Sequence, residues 1–122
     1  MSTLSVGFDL VDVERFAAIL RRRPRMVDRL FTERERHDAA TRPERLAARF
    51  AAKEATWKAL GVGLGAARLH DVEVRRDTSG APTLHLDGAA ARLAGERGLT
   101  NWQLSLSHTA ISAGAVVIGS SL

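Results

Sequence analysis

The chain reads as an α+β fold in which one long central helix packs on a mostly antiparallel sheet. Three observations predict it. Leu4, Val6, Phe8 and Leu10 alternate with Ser5, Gly7 and Asp9 at one end. Trp102, Leu104 and Leu106 alternate with Gln103, Ser105 and Ser107 near the other. Period two is the signature of strands with two unlike faces. Between them, the stretch from Arg49 to Gly61 is apolar around most of a helical circumference, yet it holds Lys53, Glu54 and Lys58 in its middle.

Each element follows in order. The first strand spans residues 4–10 and turns Asp9 to the face opposite Leu4, Val6 and Phe8. A helix over 12–23 starts at Asp12 as N-cap and stops before Pro24. Two short helices, 25–31 and 33–40, follow, with Thr32 as the cap between them. Thr41-Arg42-Pro43-Glu44 reads as a capping box with proline in the first turn. The helix it opens runs to Leu60 and ends at Gly61 in a left-handed position. On it, Leu46, Phe50, Trp57 and Leu60 share one face, and alanines 47, 48, 51, 52, 55 and 59 cover much of another. Residues 69–76 and 82–86 form a hairpin around Asp77-Thr78-Ser79-Gly80, and a short helix over 88–97 ends at Gly98. The last strand covers 111–118.

The 122 residues suffice for one domain, 1–122, with one core. No apolar run approaches the roughly 20 residues of a membrane helix, and the first residues lack the basic and apolar regions of a signal peptide, so none is expected. With no cysteine there is no disulfide framework, thiolate nucleophile or cysteine-type zinc cluster. The expectation is a cytoplasmic protein. The net charge of +4 is carried by arginine, Lys53 and Lys58 being the only lysines. A basic surface suits nucleic acid, an acidic protein or a polyphosphate. It also matches the arginine and alanine usage of a GC-rich genome.

Asp9 and Glu54 come from separate elements. Two carboxylates without cysteine favour a hard cation such as Mg²⁺. Two structural roles are open beside that one: Asp9 as a helix cap, and Glu54 paired with Lys58 one turn on. Lys53 lies within the apolar face and must snorkel to water or meet an anion. Lys58 is placed to reach phosphate. Gly61, Gly63 and Gly65 follow the helix instead of opening it, which excludes a P-loop or Rossmann signature. Ser107 and His108 are strand neighbours on opposite faces and make no nucleophile–base pair. Arg15, Arg21, Arg22, Arg23 and Arg25 form a basic cluster on and after the first helix, either a solvated face or a docking surface. Few aromatics accompany them, which disfavours a single-strand stacking platform.

In this order the signals resemble the short bacterial holo-acyl-carrier-protein synthases, which are 4′-phosphopantetheinyl transferases. Three blocks carry the resemblance: Val6-Gly7-Phe8-Asp9-Leu10 with Glu14-Arg15-Phe16; Arg49 through Ala55 continuing to Lys58-Ala59-Leu60-Gly61; and Leu104-Ser105-Leu106-Ser107-His108-Thr109. Leu30 to Glu35 and Asp71-Val72-Glu73 extend it over the whole chain.

The resemblance implies the phosphopantetheinyl transferase fold and Mg²⁺-dependent transfer of phosphopantetheine from coenzyme A to a serine of an acidic apo acyl carrier protein. Adenosine 3′,5′-bisphosphate would leave. Asp9 and Glu54 would hold the metal, and Lys58 would neutralise the pyrophosphate. Arg49, Lys53, Gly61, His108 and Thr109 would surround the nucleotide, while Arg15, Arg21, Arg22 and Arg25 would dock the carrier. It also implies a homotrimer with active sites between subunits, and neither nucleic acid nor membrane as partner.

Three positions depart from the family pattern. Val62 stands where threonine is frequent, Ala81 where lysine is frequent, and Val11 where double-length relatives carry a third acid. The competing reading is a non-catalytic module that binds nucleic acid through the arginine-rich first helix.

Overall fold

A computed structural model describes residues 2–62 and 69–122. The elements run β1 (Leu4–Asp12), α1 (Val13–Arg22), α2 (Met26–Leu30), α3 (Glu33–Ala39) and α4 (Pro43–Leu60). A single 3₁₀ turn (Leu69–Asp71) then precedes β2 (Val72–Arg76), β3 (Pro82–Leu86), α5 (Gly88–Glu96), β4 (Asn101–His108) and β5 (Ser112–Ser120).

Two antiparallel sheets form, where the sequence suggested one: β1-β5-β4 and the hairpin β2-β3. In the larger sheet Phe8 stands opposite Val116, Asp9 opposite Ala115, and His108 opposite Ala113. One face of this sheet lies on α4, where Ala51, Ala52 and Ala55 meet Ala115 and Val117. The alanines let the backbones approach closely. Leu46 of α4 packs with Phe16, Leu30 and Phe31 on one side. Trp57 and Leu60 pack with Val72, Ala90 and Leu99 on another. Contacts on three sides explain why apolar residues encircle this helix.

The opposite face of the sheet is uncovered. Leu4, Val6, Phe8 and Leu10 of β1 and Val116 and Ile118 of β5 are all exposed, Leu4 by 74% and Val6 by 64%. Because Val6 opposes Ile118 and Phe8 opposes Val116, these side chains form one continuous apolar surface.

The sequence placed most element ends well. Asp12 does cap α1, its carboxylate accepting from Arg15 N at 2.8 Å. Gly61 does end α4, at φ 77°. The capping box at Thr41 and Glu44 does not form. Ala40 and Thr41 both take positive φ in the tight turn after α3, and the Thr41 hydroxyl donates back to Ala40 O at 2.6 Å. Arg42 becomes the N-cap without a side-chain bond, and Pro43 supplies the first helical residue. A capping box does exist one helix earlier, between Thr32 and Glu35. The strand expected from residue 69 begins only at Val72.

Candidate active site

The site begins at the seam between β1 and α4. Ser5 Oγ donates to Ala59 O at 2.5 Å. Gly7 lies directly under the Ala55 carbonyl, where any Cβ would collide with it. One residue on, Lys58 Nζ donates to Phe8 O and pairs with Asp9 Oδ1, each at 3.0 Å. The seam thus holds Asp9 against the helix that carries Glu54. Both carboxylates line one cleft, walled by Arg15, Phe16, Ile19 and Phe50.

The alternatives left open for these acids are resolved by geometry. Lys58 crosses to Asp9 and forms no ion pair with Glu54. The cap of α1 is Asp12, not Asp9. Burial raises the Glu54 pKa, the charge of Asp9 raises it further, and Lys58 only partly opposes them. A carboxylate desolvated beside a second carboxylate is stabilised by a cation placed between them. Hard oxygen donors select Mg²⁺ over softer metals, so the pair fits that ion. Asp12 borders the same cleft, but its carboxylate is taken up by the N-terminus of α1, and among the described residues no group of three acidic, histidine or cysteine donors gathers there. Water and substrate oxygens would complete the shell, as is usual for Mg²⁺.

A second cleft lies at the other edge of the sheet. Arg45, Arg49, Arg76, Pro82, Leu106 and His108 line it. Arg49 is only 5% exposed; its Nη1 donates to Arg45 O at 3.2 Å while Nε is buried without a partner. Burial lowers the Arg49 pKa, with Asp38 and Glu35 partly opposing. A desolvated guanidinium with an unused donor, beside two more arginines and a histidine, has the charge and donors to suit an anion. The sequence reading missed Arg45 and Arg76. Arg45 was detectable as the residue one turn before Arg49, but Arg76 arrives only through the hairpin. The two clefts have no lining residue in common. Within one chain, Asp9, Glu54 and Lys58 therefore come together, and Arg49 and His108 come together, but the two groups do not.

Lys53 requires a correction. It does not face a nucleotide site: it is fully buried and paired with the equally buried Glu35 at 2.8 Å. Its ammonium also donates to Leu69 O at 2.9 Å and Val72 O at 2.5 Å, and it sits 5.8 Å from the centre of the Phe31 ring. Three acceptors use all three protons, so nothing remains for a phosphate. These bonds also draw in the carbonyls around the 3₁₀ turn that replaces the start of the expected strand.

The remaining candidates are placed as follows. Gly61 caps α4. Thr109 closes the β4–β5 turn, its hydroxyl accepting from Ile111 N and Ser112 N. Gly63 and Gly65 lie outside the described residues. Val62 packs against the Trp57 cluster, and Ala81 sits exposed in the hairpin turn. Arg15 borders the carboxylate cleft. Arg21 and Arg22 project from the last turn of α1, and Arg23, Arg25 and Arg29 surround a shallow cleft beside them. Among the described residues, none of these six arginines has a carboxylate within ion-pair distance. No described helix is long and apolar enough to cross a membrane.

Comparison with known proteins identifies the family. The family model described as the 4′-phosphopantetheinyl transferase superfamily matches residues 5–118. The chain is 49% identical over 118 residues to a holo-[acyl-carrier-protein] synthase of Frankia casuarinae, covering 97% of this chain and 98% of that one. Its fold matches the acyl carrier protein synthase of Mycobacterium tuberculosis with a TM-score of 0.73 and 36% identity, covering 94% and 95% of the two chains. It also matches a Chronobacterium ammoniagenes synthase–coenzyme A complex with a TM-score of 0.83 and 31% identity, covering 96% of each chain. The chain belongs to the holo-[acyl-carrier-protein] synthases of the 4′-phosphopantetheinyl transferase superfamily.

Proposed function

We propose that this chain transfers the 4′-phosphopantetheine group of coenzyme A to a serine of an apo acyl carrier protein, using Mg²⁺ at Asp9 and Glu54. The observation that carries the reading is the Asp9–Glu54 pair in one cleft, with Lys58 held on Asp9 at 3.0 Å. Mg²⁺ bound there would neutralise charge on the coenzyme A pyrophosphate. Lys58, more than half exposed, places a second positive charge beside the same phosphates. The serine oxygen bonds to the phosphorus that bears pantetheine with release of its hydroxyl proton, and the bond from that phosphorus to the bridging oxygen breaks. Adenosine 3′,5′-bisphosphate leaves with the bridging oxygen. Alignment and charge neutralisation suffice for such a displacement, so no protein nucleophile is needed.

The two separated clefts are joined when subunits assemble. The uncovered apolar face, running from Leu4 to Leu10 and across Val116 and Ile118, is the interface of a homotrimer. In it, the Asp9–Glu54–Lys58 cleft of one subunit meets the Arg49–His108 cleft of the next, and that second cleft takes the nucleotide phosphates. The exposed arginines of α1 and the residues after it, Arg15, Arg21, Arg22 and Arg25, receive the acidic carrier instead of nucleic acid. The enzyme works in the cytoplasm.

The test is to incubate the protein with apo carrier, coenzyme A and Mg²⁺, then weigh the intact carrier by mass spectrometry. A phosphopantetheine adduct on the carrier serine is expected. An unmodified carrier in the presence of folded protein would contradict the reading.

A further inference from the structure

Arg97 follows α5 on the loop that leads into β4, and its guanidinium lies on the C-terminal end of α4. A Cβ added to Gly61 would stand 2.7 Å from Arg97 Nη1 and 3.6 Å from its Cζ. The bare face of Gly61 therefore makes room for the guanidinium, in addition to supplying the left-handed φ of 77° that ends the helix. Lys58 stands one turn earlier on the same helix.

The backbone of Arg97 is fixed. Its N–H donates to Leu93 O and Ala94 O, and two residues on Leu99 N donates to Ala94 O at 2.9 Å. Ala94 and Leu99 are buried against Trp57 and Leu60, so the arginine stands on the cluster beneath the last turn of α4.

Two ordinary structural roles do not account for it. Among the described residues no carboxylate lies within ion-pair distance of Arg97. Among the described residues its side chain donates to no carbonyl of α4, and Trp57 O, Lys58 O and Ala59 O already accept from Val62 N, Gly61 N and Ser5 Oγ. An exposed guanidinium without a counter-charge, one turn from a phosphate-binding lysine, suits a bidentate phosphate contact.

We infer that Arg97 is a binding residue for a phosphate group of coenzyme A, acting beside Lys58 through its position on Gly61. This rests on coenzyme A lying against Lys58, as proposed above. Calorimetric titration of coenzyme A and of 3′-dephospho-coenzyme A into the wild type, Arg97→Ala and Arg97→Lys tests it. Arg97→Ala should weaken coenzyme A binding about tenfold, the loss of one charge-assisted contact. Arg97→Lys should recover part of that loss. The KM for coenzyme A should rise in proportion while kcat and the melting temperature stay near wild type.

A loss that persists with 3′-dephospho-coenzyme A places the contact on the pyrophosphate; a loss that vanishes places it on the 3′-phosphate. Either result supports the inference. An alanine variant that binds coenzyme A like the wild type overturns it, and a lowered melting temperature in that variant would assign Arg97 to the helix end. Failure of the wild type itself to bind coenzyme A would overturn the transfer reading as well, so the two failures are distinguishable.

Discussion

Gly7 of β1 sits beneath the carbonyl of Ala55, so strand and helix touch backbone to backbone at the point where the site begins. A Cβ there would also come within 3.0 Å of Ala59 N. The closeness of this contact sets the reach from Lys58 to Asp9. Gly7→Ala must push α4 away, and the expected cost is about 3 kcal/mol, the upper end of overpacking penalties. Urea unfolding measures it. A variant of unchanged stability would show that the seam is looser than described.

The buried pair Lys53–Glu35 holds α3, α4 and β2 together, since Glu35 also accepts from Thr32 N and Val74 N. Removing one partner strands a charge, so Lys53→Met should cost about 3–5 kcal/mol. The double variant Glu35→Leu with Lys53→Met should regain much of that loss, because no lone charge remains. Denaturant midpoints of the wild type, Lys53→Met, Glu35→Leu and the double variant decide the matter. Additive losses in the double variant would mean that the two groups do not act as a pair.

Glu54 gives a pH signature without metal. Its pKa is raised in the folded protein by burial and by Asp9. At pH below the unfolded value it is protonated in both states and costs nothing. As pH rises through the interval between the unfolded and the raised folded value, the native state is penalised for losing the proton, and stability falls. Glu54→Gln should therefore melt higher than the wild type at neutral pH in chelator, with the gap closing towards acid. Added Mg²⁺ should stabilise the wild type selectively. A gap independent of pH would remove Glu54 from the acidic pair.

The proposed division of the site between clefts of neighbouring subunits predicts complementation. Lys58→Ala and His108→Ala should each be poorly active alone, the first damaging one cleft and the second the other. Mixed and reassembled, they should recover about a quarter of the wild-type activity, the frequency with which two intact halves meet around a ring. Absence of recovery after subunit exchange would place both clefts' functions within single chains.

Much of this was legible in the chain itself. Strand alternation located β1 and β4, and the charges inside an apolar helix singled out Glu54 and Lys58. The partner of Lys53 was not legible, because Glu35 looks like an ordinary capping residue until the fold carries α3 against α4. The Thr41 box failed because the positive φ of two non-glycine residues, Ala40 and Thr41, is imposed by the turn they share. Alternation put Leu4, Val6 and Phe8 on one face, but periodicity cannot say whether a face is covered by the same chain or by another. The separation of His108 from Asp9 depends on strand order, which local pattern does not encode.

Transfer measured with metal as the variable tests the centre of the account: intact-mass analysis of apo carrier treated with wild type, Asp9→Asn or Glu54→Gln, each with Mg²⁺ or chelator. The account predicts modification by the wild type only when coenzyme A and Mg²⁺ are both present. The two folded variants should be slower by about a hundredfold or more, as expected when several kcal/mol of metal-supplied charge stabilisation is lost. Equal modification of the carrier by Glu54→Gln, or by the wild type in chelator, would contradict it.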